Sequence, residues 1–216
     1  MVKMGTVSKM RIVKINSKNP EMEKIEIARK ALKDGSIIVY PTDTVYGIGA
    51  DIYNEKAVKK VYKAKKRSQV KPVSVCLSRI EEIGQVAHVD DDTEKFIRKI
   101  LPGPFTIILK KKNGISPFLT AGKSKIGVRI PQSRVCMELS RDLPITTTSA
   151  NISGMKVSES SKDVVKHLGD SVDLMLDAGI CKHGVPSTVV DMTTFPPRVL
   201  REGSGFERVI KLLKYE

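Results

Sequence analysis

Four stretches of this chain gather residue types that handle anions. Pro41-Thr42-Asp43-Thr44-Val45-Tyr46-Gly47 sets two hydroxyls just past the apolar run from Ile37 to Tyr40, and Gly49 completes a Gly-x-Gly. A proline cannot donate to a sheet ladder and glycines permit a tight, backbone-exposing bend, so the stretch predicts polar groups carried from a buried strand to a cleft edge. Lys65-Lys66-Arg67-Ser68, with Lys71 close behind, is a dense cationic loop between a predicted helix end and a strand. Such a loop can supply charge to phosphates and to an anionic transition state, although a bare charge run also suits a solvated surface. Arg129 lies between apolar strand residues, where an unpaired guanidinium is costly, so it should meet a carboxylate of the protein or of a substrate. Thr146-Thr147-Thr148-Ser149-Ala150-Asn151 offers hydroxyls and an amide for phosphate or ribose, with an Asn-based turn as the plain alternative.

Other patterns do not reach a site. Gly122-Lys123-Ser124 lacks the upstream glycine of a phosphate loop, and Cys181-x-His183 has too few partners for a metal. Asp90, Asp91 and Asp92 suit the start of a helix, where acidic groups meet the positive end of its dipole. No Ser-His-Asp or Cys-His set is evident.

The positioning elements follow from periodicity. Met10 to Ile15 alternates as an edge strand, and Met22, Ile25, Ala28 and Leu32 give a helix over 21–34 that Gly35 stops. Asn54 caps a helix over 55–64, and Val73 to Leu77 is a strand. Ser78-x-x-Glu81 reads as a capping box for a short helix. After the aspartates and the break at Pro102-Gly103-Pro104, Phe105 to Leu109 is a strand closed by Lys110-Lys111-Lys112, an edge-protecting or RNA-facing cluster. Strands at 126–131, 143–149, 172–177, 187–192 and 198–203 alternate with helices around Val135–Leu139 and over Ser158–Leu168, and a last helix spans 206–214.

Composition limits the classes open to such a chain. Its 216 residues, 40% hydrophobic and 29% charged, suffice for one large domain, and a single folded unit over 1–216 is expected. A net charge of +14 favours polyanionic partners, nucleoside triphosphate or RNA. Cys76, Cys136 and Cys181 match neither a disulfide framework nor a CxxC spacing, and read as reduced, buried thiols. No apolar run approaches the ~20 residues that span a bilayer. The expectation is a soluble, cytoplasmic protein with no membrane partner.

Pro41–Gly47, Lys65-x-Arg67, Gly127-Val128-Arg129-Ile130-Pro131, Ser149-Ala150-Asn151, Ser187-Thr188-Val189-Val190-Asp191 and Leu200-Arg201-x-Gly203 together resemble the YrdC-like threonylcarbamoyl-AMP synthases, in order and spacing over nearly the whole chain. The resemblance implies an α/β fold, a mixed, twisted open sheet flanked by helices around a concave basic cavity. It implies a nucleotidyltransferase that joins L-threonine, bicarbonate and ATP into threonylcarbamoyl-adenylate and pyrophosphate. The product feeds the tRNA-modification machinery that places threonylcarbamoyl on the adenosine beside the anticodon.

Carried over by motif, the threonine contacts are Thr42, Thr44, Cys76, Arg129, Thr147 and Ser187. The nucleotide contacts are Lys65, Arg67, Lys71, Lys125, Ser149, Asn151, Val157 and Arg201, and Lys65 with Arg67 forms the catalytic pair on the triphosphate. Two positions depart from the family's pattern: Ser68 stands where many members have Pro, and Lys71 where they have Asn. Longer members add a linker and a second domain, and no lid from that linker is expected here.

The implied chemistry, attack of a carbamate oxygen on the α-phosphorus, requires no protein nucleophile. Positioning can supply roughly 7 to 11 kcal/mol of such a barrier. Mg²⁺ is expected as the cofactor, held by the phosphates, because no dense carboxylate cage is present. The alternative reading is a non-catalytic module binding tRNA or double-stranded RNA through the same basic cavity. It is weakened by 5% aromatics and the lack of a stacking platform.

Overall fold

A computed structural model describes residues 10–181 and 184–214. In chain order the elements are β1 (Arg11–Lys14), α1 (Met22–Lys33), β2 (Ile38–Tyr40), β3 (Gly47–Gly49), α2 (Glu55–Ala64), β4 (Ser74–Cys76), α3 (Ile83–Val86), β5 (Ala87–His88), α4 (Asp91–Ile100), β6 (Phe105–Lys111), β7 (Lys125–Arg129), α5 (Arg134–Ser140), β8 (Ile145–Ser149), α6 (Ser161–Leu168), β9 (Leu174–Asp177), β10 (Thr188–Asp191), β11 (Arg198–Arg201) and α7 (Phe206–Lys214). The strands form one mixed sheet in the order β1-β9-β2-β3-β8-β4-β7-β6-β10-β11, with β5 paired to β6. The expected α/β class and mixed sheet are thus present.

Strand alternation explains where the sheet turns polar. In β6, Phe105, Ile107 and Leu109 enter an apolar core with Ile126 and Val128 of β7, Val75 of β4 and Val190 of β10. Side chains alternate between faces, so Thr106, Gly127, Arg129, Ser74 and Val189 fall on the opposite face. That face lines the cavity. Helices α4 and α7 close the apolar side through Phe96, Ile97, Ile100 and Val209. Burying each such side chain contributes about 1.5 to 3 kcal/mol, which fixes the register of the strands and with it the polar face.

Several local expectations hold in detail. The Asn54 side chain accepts from the Ala57 N–H at 3.1 Å, and Asp90 caps α4 through the Thr93 N–H at 2.8 Å. Others are corrected. Gly47-Ile48-Gly49 is strand β3, paired antiparallel to β2, and not a bend. The Tyr40 ring lies over it: a Cβ on Gly49 would come within 2.8 Å of that ring, and one on Gly47 within 3.1 Å. The glycines therefore make room for an aromatic.

Ser78 does not form a box with Glu81. Its N–H and hydroxyl both donate to the buried Glu82 carboxylate, at 3.0 and 2.7 Å. Lys110 and Lys111 do not guard an edge, since β6 runs between β7 and β10 and its end pairs with β5. Helix α6 starts at Ser161 rather than Ser158, with a capping box between Ser160 and Asp163. Ser158 is buried, donating to the Ala150 carbonyl at 2.5 Å. His183 lies outside the described residues.

Candidate active site

A cavity of about 270 Å³ opens on the polar face of the sheet. The bend after β2 contributes Thr42, the loop after α2 Arg67, β7 Arg129, β8 Thr147 and Ser149, and the chain around β10 and β11 Ser187 and Arg201. Seven residues proposed from sequence motifs thus meet at one hollow. Thr106 and Ser74 also line it and the motif reading missed them, while Thr148 and Tyr46 line it from within two of the motif stretches. For Thr106 and Ser74, alternation along strands with a clear apolar face was the available signal.

The arginines are fixed by the backbone and by each other's neighbours. Arg67 donates through Nε to the Lys71 carbonyl at 3.2 Å and through Nη2 to the Pro72 carbonyl at 2.9 Å. Arg201 donates through Nε and Nη2 to the Ser187 carbonyl, at 3.0 and 2.8 Å, and through Nη2 to the Ser187 hydroxyl at 3.1 Å. Ser187 Oγ lies 2.8 Å from Thr106 Oγ1, which ties the last two strands to β6. Burial, and then the charges of Arg129 and Arg67, depress the Arg201 pKa from its usual value. Three like charges held this close store repulsion that a bound polyanion would relieve.

At the other wall the hydroxyls are directed. Thr42 Oγ1 gives its single hydrogen to the Val45 carbonyl at 2.7 Å, so in its 3.1 Å contact with Thr44 it accepts. Thr44 Oγ1, in turn, accepts from Arg129 Nη2 at 2.6 Å. The expected carboxylate partner of Arg129 is Asp43, whose Oδ1 lies 2.5 Å from Nη2. Thr44 is therefore fully buried and reaches the site through Arg129.

Lys65 is placed differently from a phosphate contact on the open wall. It is 1% exposed, and its ammonium donates to the Ser149 carbonyl, to the Asn151 carbonyl at 2.8 Å and to Asn151 Oδ1 at 3.5 Å. A buried ammonium must find acceptors, and the carbonyls beneath the β8 loop are the ones within reach. Burial, followed by repulsion from Arg67, brings its pKa down to about 7. Asn151 is buried beside it, accepting from Ser149 Oγ at 2.5 Å and donating to the carbonyls of Ile152 and Met155.

Besides Thr44, Lys65 and Asn151, four further expected contacts fall outside the cavity lining. Cys76 shares the face of Ser74 on β4 but lies further along the strand, buried under α5 with Val135, Cys136, Leu139 and Ile145. Lys71 is exposed and serves through its carbonyl. Lys125 shares the face of Arg129 on β7 but sits at the strand's far end, ion-paired to Asp191 at 2.9 Å. Val157 is half-buried in the loop before α6.

A pocket walled by arginines and hydroxyls, with no carboxylate in its lining among the described residues, on a mixed open sheet, marks an α/β protein with a basic site. Residues 30–203 match the model of the Sua5/YciO/YrdC family, described as "Telomere recombination", and the chain belongs to this family. A Methanocaldococcus jannaschii protein, provisionally named a threonylcarbamoyl-AMP synthase, is 44% identical over 197 residues, covering 90% of this chain and 94% of its own length. The threonylcarbamoyl-AMP synthase of Pyrococcus abyssi is 33% identical over 183 residues, 83% of this chain and 54% of that one.

Among solved structures, P. abyssi Sua5 complexed with L-threonine superposes with a TM-score of 0.86 at 32% identity, covering 92% of this chain. E. coli YciO does so with 0.83 at 27% identity, covering 90% of this chain and 96% of its own. The chain spans 60% of the P. abyssi Sua5 structure.

Proposed function

We propose that this protein is an L-threonylcarbamoyladenylate synthase, a nucleotidyltransferase acting as one unit in the cytoplasm. It would make threonylcarbamoyl-AMP and pyrophosphate from L-threonine, bicarbonate and ATP. The observation that carries the reading is the convergence of Arg67, Arg129 and Arg201 with Thr42, Thr147, Ser149 and Ser187 on one cavity without lining carboxylates. Similarity to a synthase and to a threonine complex supports the choice of substrates.

In this reading Arg129, backed by Thr44, takes the amino-acid carboxylate, and Thr147 and Ser187 complete that pocket. Arg67 and Arg201 hold the triphosphate, with the Ser149 loop supported by Lys65. A cavity of 270 Å³ falls just below the roughly 300 to 1,000 Å³ of drug-sized ligand sites, so it suits the amino acid and the phosphates, with the nucleoside on the rim. The threonine amine and bicarbonate give a carbamate with release of water. Its oxygen attacks the α-phosphorus, the bond to the β-phosphate bridging oxygen breaks, and pyrophosphate leaves.

The protein's contribution is to hold two anions in line and to neutralise the charge that builds up on the leaving phosphates. Among the described residues no cluster of His, Cys, Asp or Glu could hold a metal, so Mg²⁺ fits only as an ion carried in on the nucleotide phosphates, where it would spread their charge. The adenylate would then pass to the machinery that modifies tRNA.

Pyrophosphate release measured with and without each substrate tests the reading. Release should require L-threonine and bicarbonate together, and release that persists without threonine overturns it.

A further inference from the structure

Arg129 is held from behind. Nη2 carries two hydrogens, and both are spent inside the protein, one on Asp43 Oδ1 at 2.5 Å and one on Thr44 Oγ1 at 2.6 Å. Its Nε is buried with no partner among the described residues. Asp43 is held in turn, since its Oδ2 accepts the Gln132 N–H at 2.9 Å across the end of β7. Asp43 does not line the arginine-walled cavity. It lines a separate depression with Pro41, Gln132 and Ser133, while Thr42 and Tyr46 line both hollows and form the partition. The carboxylate and the ligand cavity thus lie on opposite sides of the guanidinium.

We propose that Asp43 is a positioning residue for recognition of the amino acid: it fixes the plane of the Arg129 guanidinium, so that Nη1 remains as the donor offered to the ligand's carboxylate. The proposal rests on the reading above, in which Arg129 takes that carboxylate. An arginine side chain has many rotamers, and a ligand that had to order it would bind more weakly. A short, charge-assisted contact to a carboxylate that is itself anchored removes that freedom before the ligand arrives. The pair also leaves this corner close to electrically neutral, which suits a zwitterion better than a polyanion. The triphosphate is left to Arg67 and Arg201, neither of which pairs with a carboxylate among the described residues.

The test is steady-state kinetics of pyrophosphate release by wild type, Asp43→Asn and Asp43→Glu, with melting temperatures and threonine binding by calorimetry. Asparagine keeps the shape and loses the charge; glutamate keeps the charge and displaces it by a methylene. Both variants should raise the KM for L-threonine, asparagine by about tenfold or more, while the KM for ATP stays within about twofold. If asparagine melts too low to assay, glutamate carries the measurement, since it leaves Arg129 with a counter-charge.

A folded variant with the wild-type threonine KM overturns the proposal, and so does a proportional rise of both KM values. A wild-type protein that neither binds nor turns over L-threonine overturns the reading beneath it, and the proposal with it.

Discussion

At the scale of single residues, Lys65 and the Arg201–Ser187 pair carry the clearest consequences. An ordinary lysine titrates near 10.5, and burial with Arg67 nearby brings Lys65 to about 7. Between these values the unfolded chain binds a proton that the folded chain has released, so stability rises with pH from about 7 to 10.5. Melting temperature should therefore climb across that range relative to Lys65→Met, which lacks the titration. Phosphate bound near the ammonium favours its charged form. ATP binding near pH 8 should then take up a proton, visible as a dependence of calorimetric heat on the buffer's ionisation enthalpy.

Lys65→Ala should abolish turnover, and the structure adds that it leaves the Ser149 and Asn151 carbonyls without their donor. Arg201 reaches Ser187 through both its carbonyl and its hydroxyl. Arg201→Ala and Ser187→Ala should be non-additive in kcat/KM, with a coupling of about 0.5 to 3 kcal/mol in a double-mutant cycle. Additive losses would mean that the contact does not position either group.

At the scale of elements, β7 and α2 deliver the site. Gly127 stands between Lys125 and Arg129 on the polar face, and a Cβ there would come within 2.4 Å of Ser74 Oγ and 3.2 Å of Ile108 Cδ1. Gly127→Ala should push the cavity-lining Ser74 hydroxyl aside and lower kcat/KM, and adding Ser74→Gly should recover part of the loss. Helix α2 runs directly into Lys65 and Arg67, and its start depends on the Asn54 cap. Asn54→Ala should cost about 1 kcal/mol and lower the melting temperature by roughly 2 to 4 °C. Substrate KM values should not change, because the cap lies a helix length from the cations.

At the scale of the whole molecule, the net charge of +14 sets a field over the cavity that acts differently on the two proposed substrates. Exposed charges are screened beyond ~10 Å at 0.1 M salt and ~3 Å at 1 M. Raising ionic strength should increase the KM for ATP several-fold and that for zwitterionic L-threonine much less; equal sensitivity would count against separate anionic and zwitterionic subsites. Among the described residues no helix is long and apolar enough to cross a membrane. The sheet explains how distant motifs meet: β8 is antiparallel to both β3 and β4, so the bend after β2 and the cationic loop before β4 flank the same strand.

Much of this was legible in the order of residues. Helix α2 and its cap, strand β7 and its buried arginine, the helical period of α7 and the spacing of the motifs all express local rules: period, capping and the cost of an unpaired charge. These determined the elements, the family and seven of the residues that line the cavity. Which side of a strand a residue takes, and which partner it finds across the sheet, belong to tertiary packing. Cys76 is on the polar face of β4, opposite Arg129 in register, yet the packing of α5 over it keeps it out of the cavity lining. Lys65 looked like an open cation until burial gave it the carbonyls of Ser149 and Asn151. Asp43 sits 86 residues from Arg129 in the chain, and only the folded sheet brings carboxylate and guanidinium together, because a contact energy between distant residues exists only once the chain between them has closed.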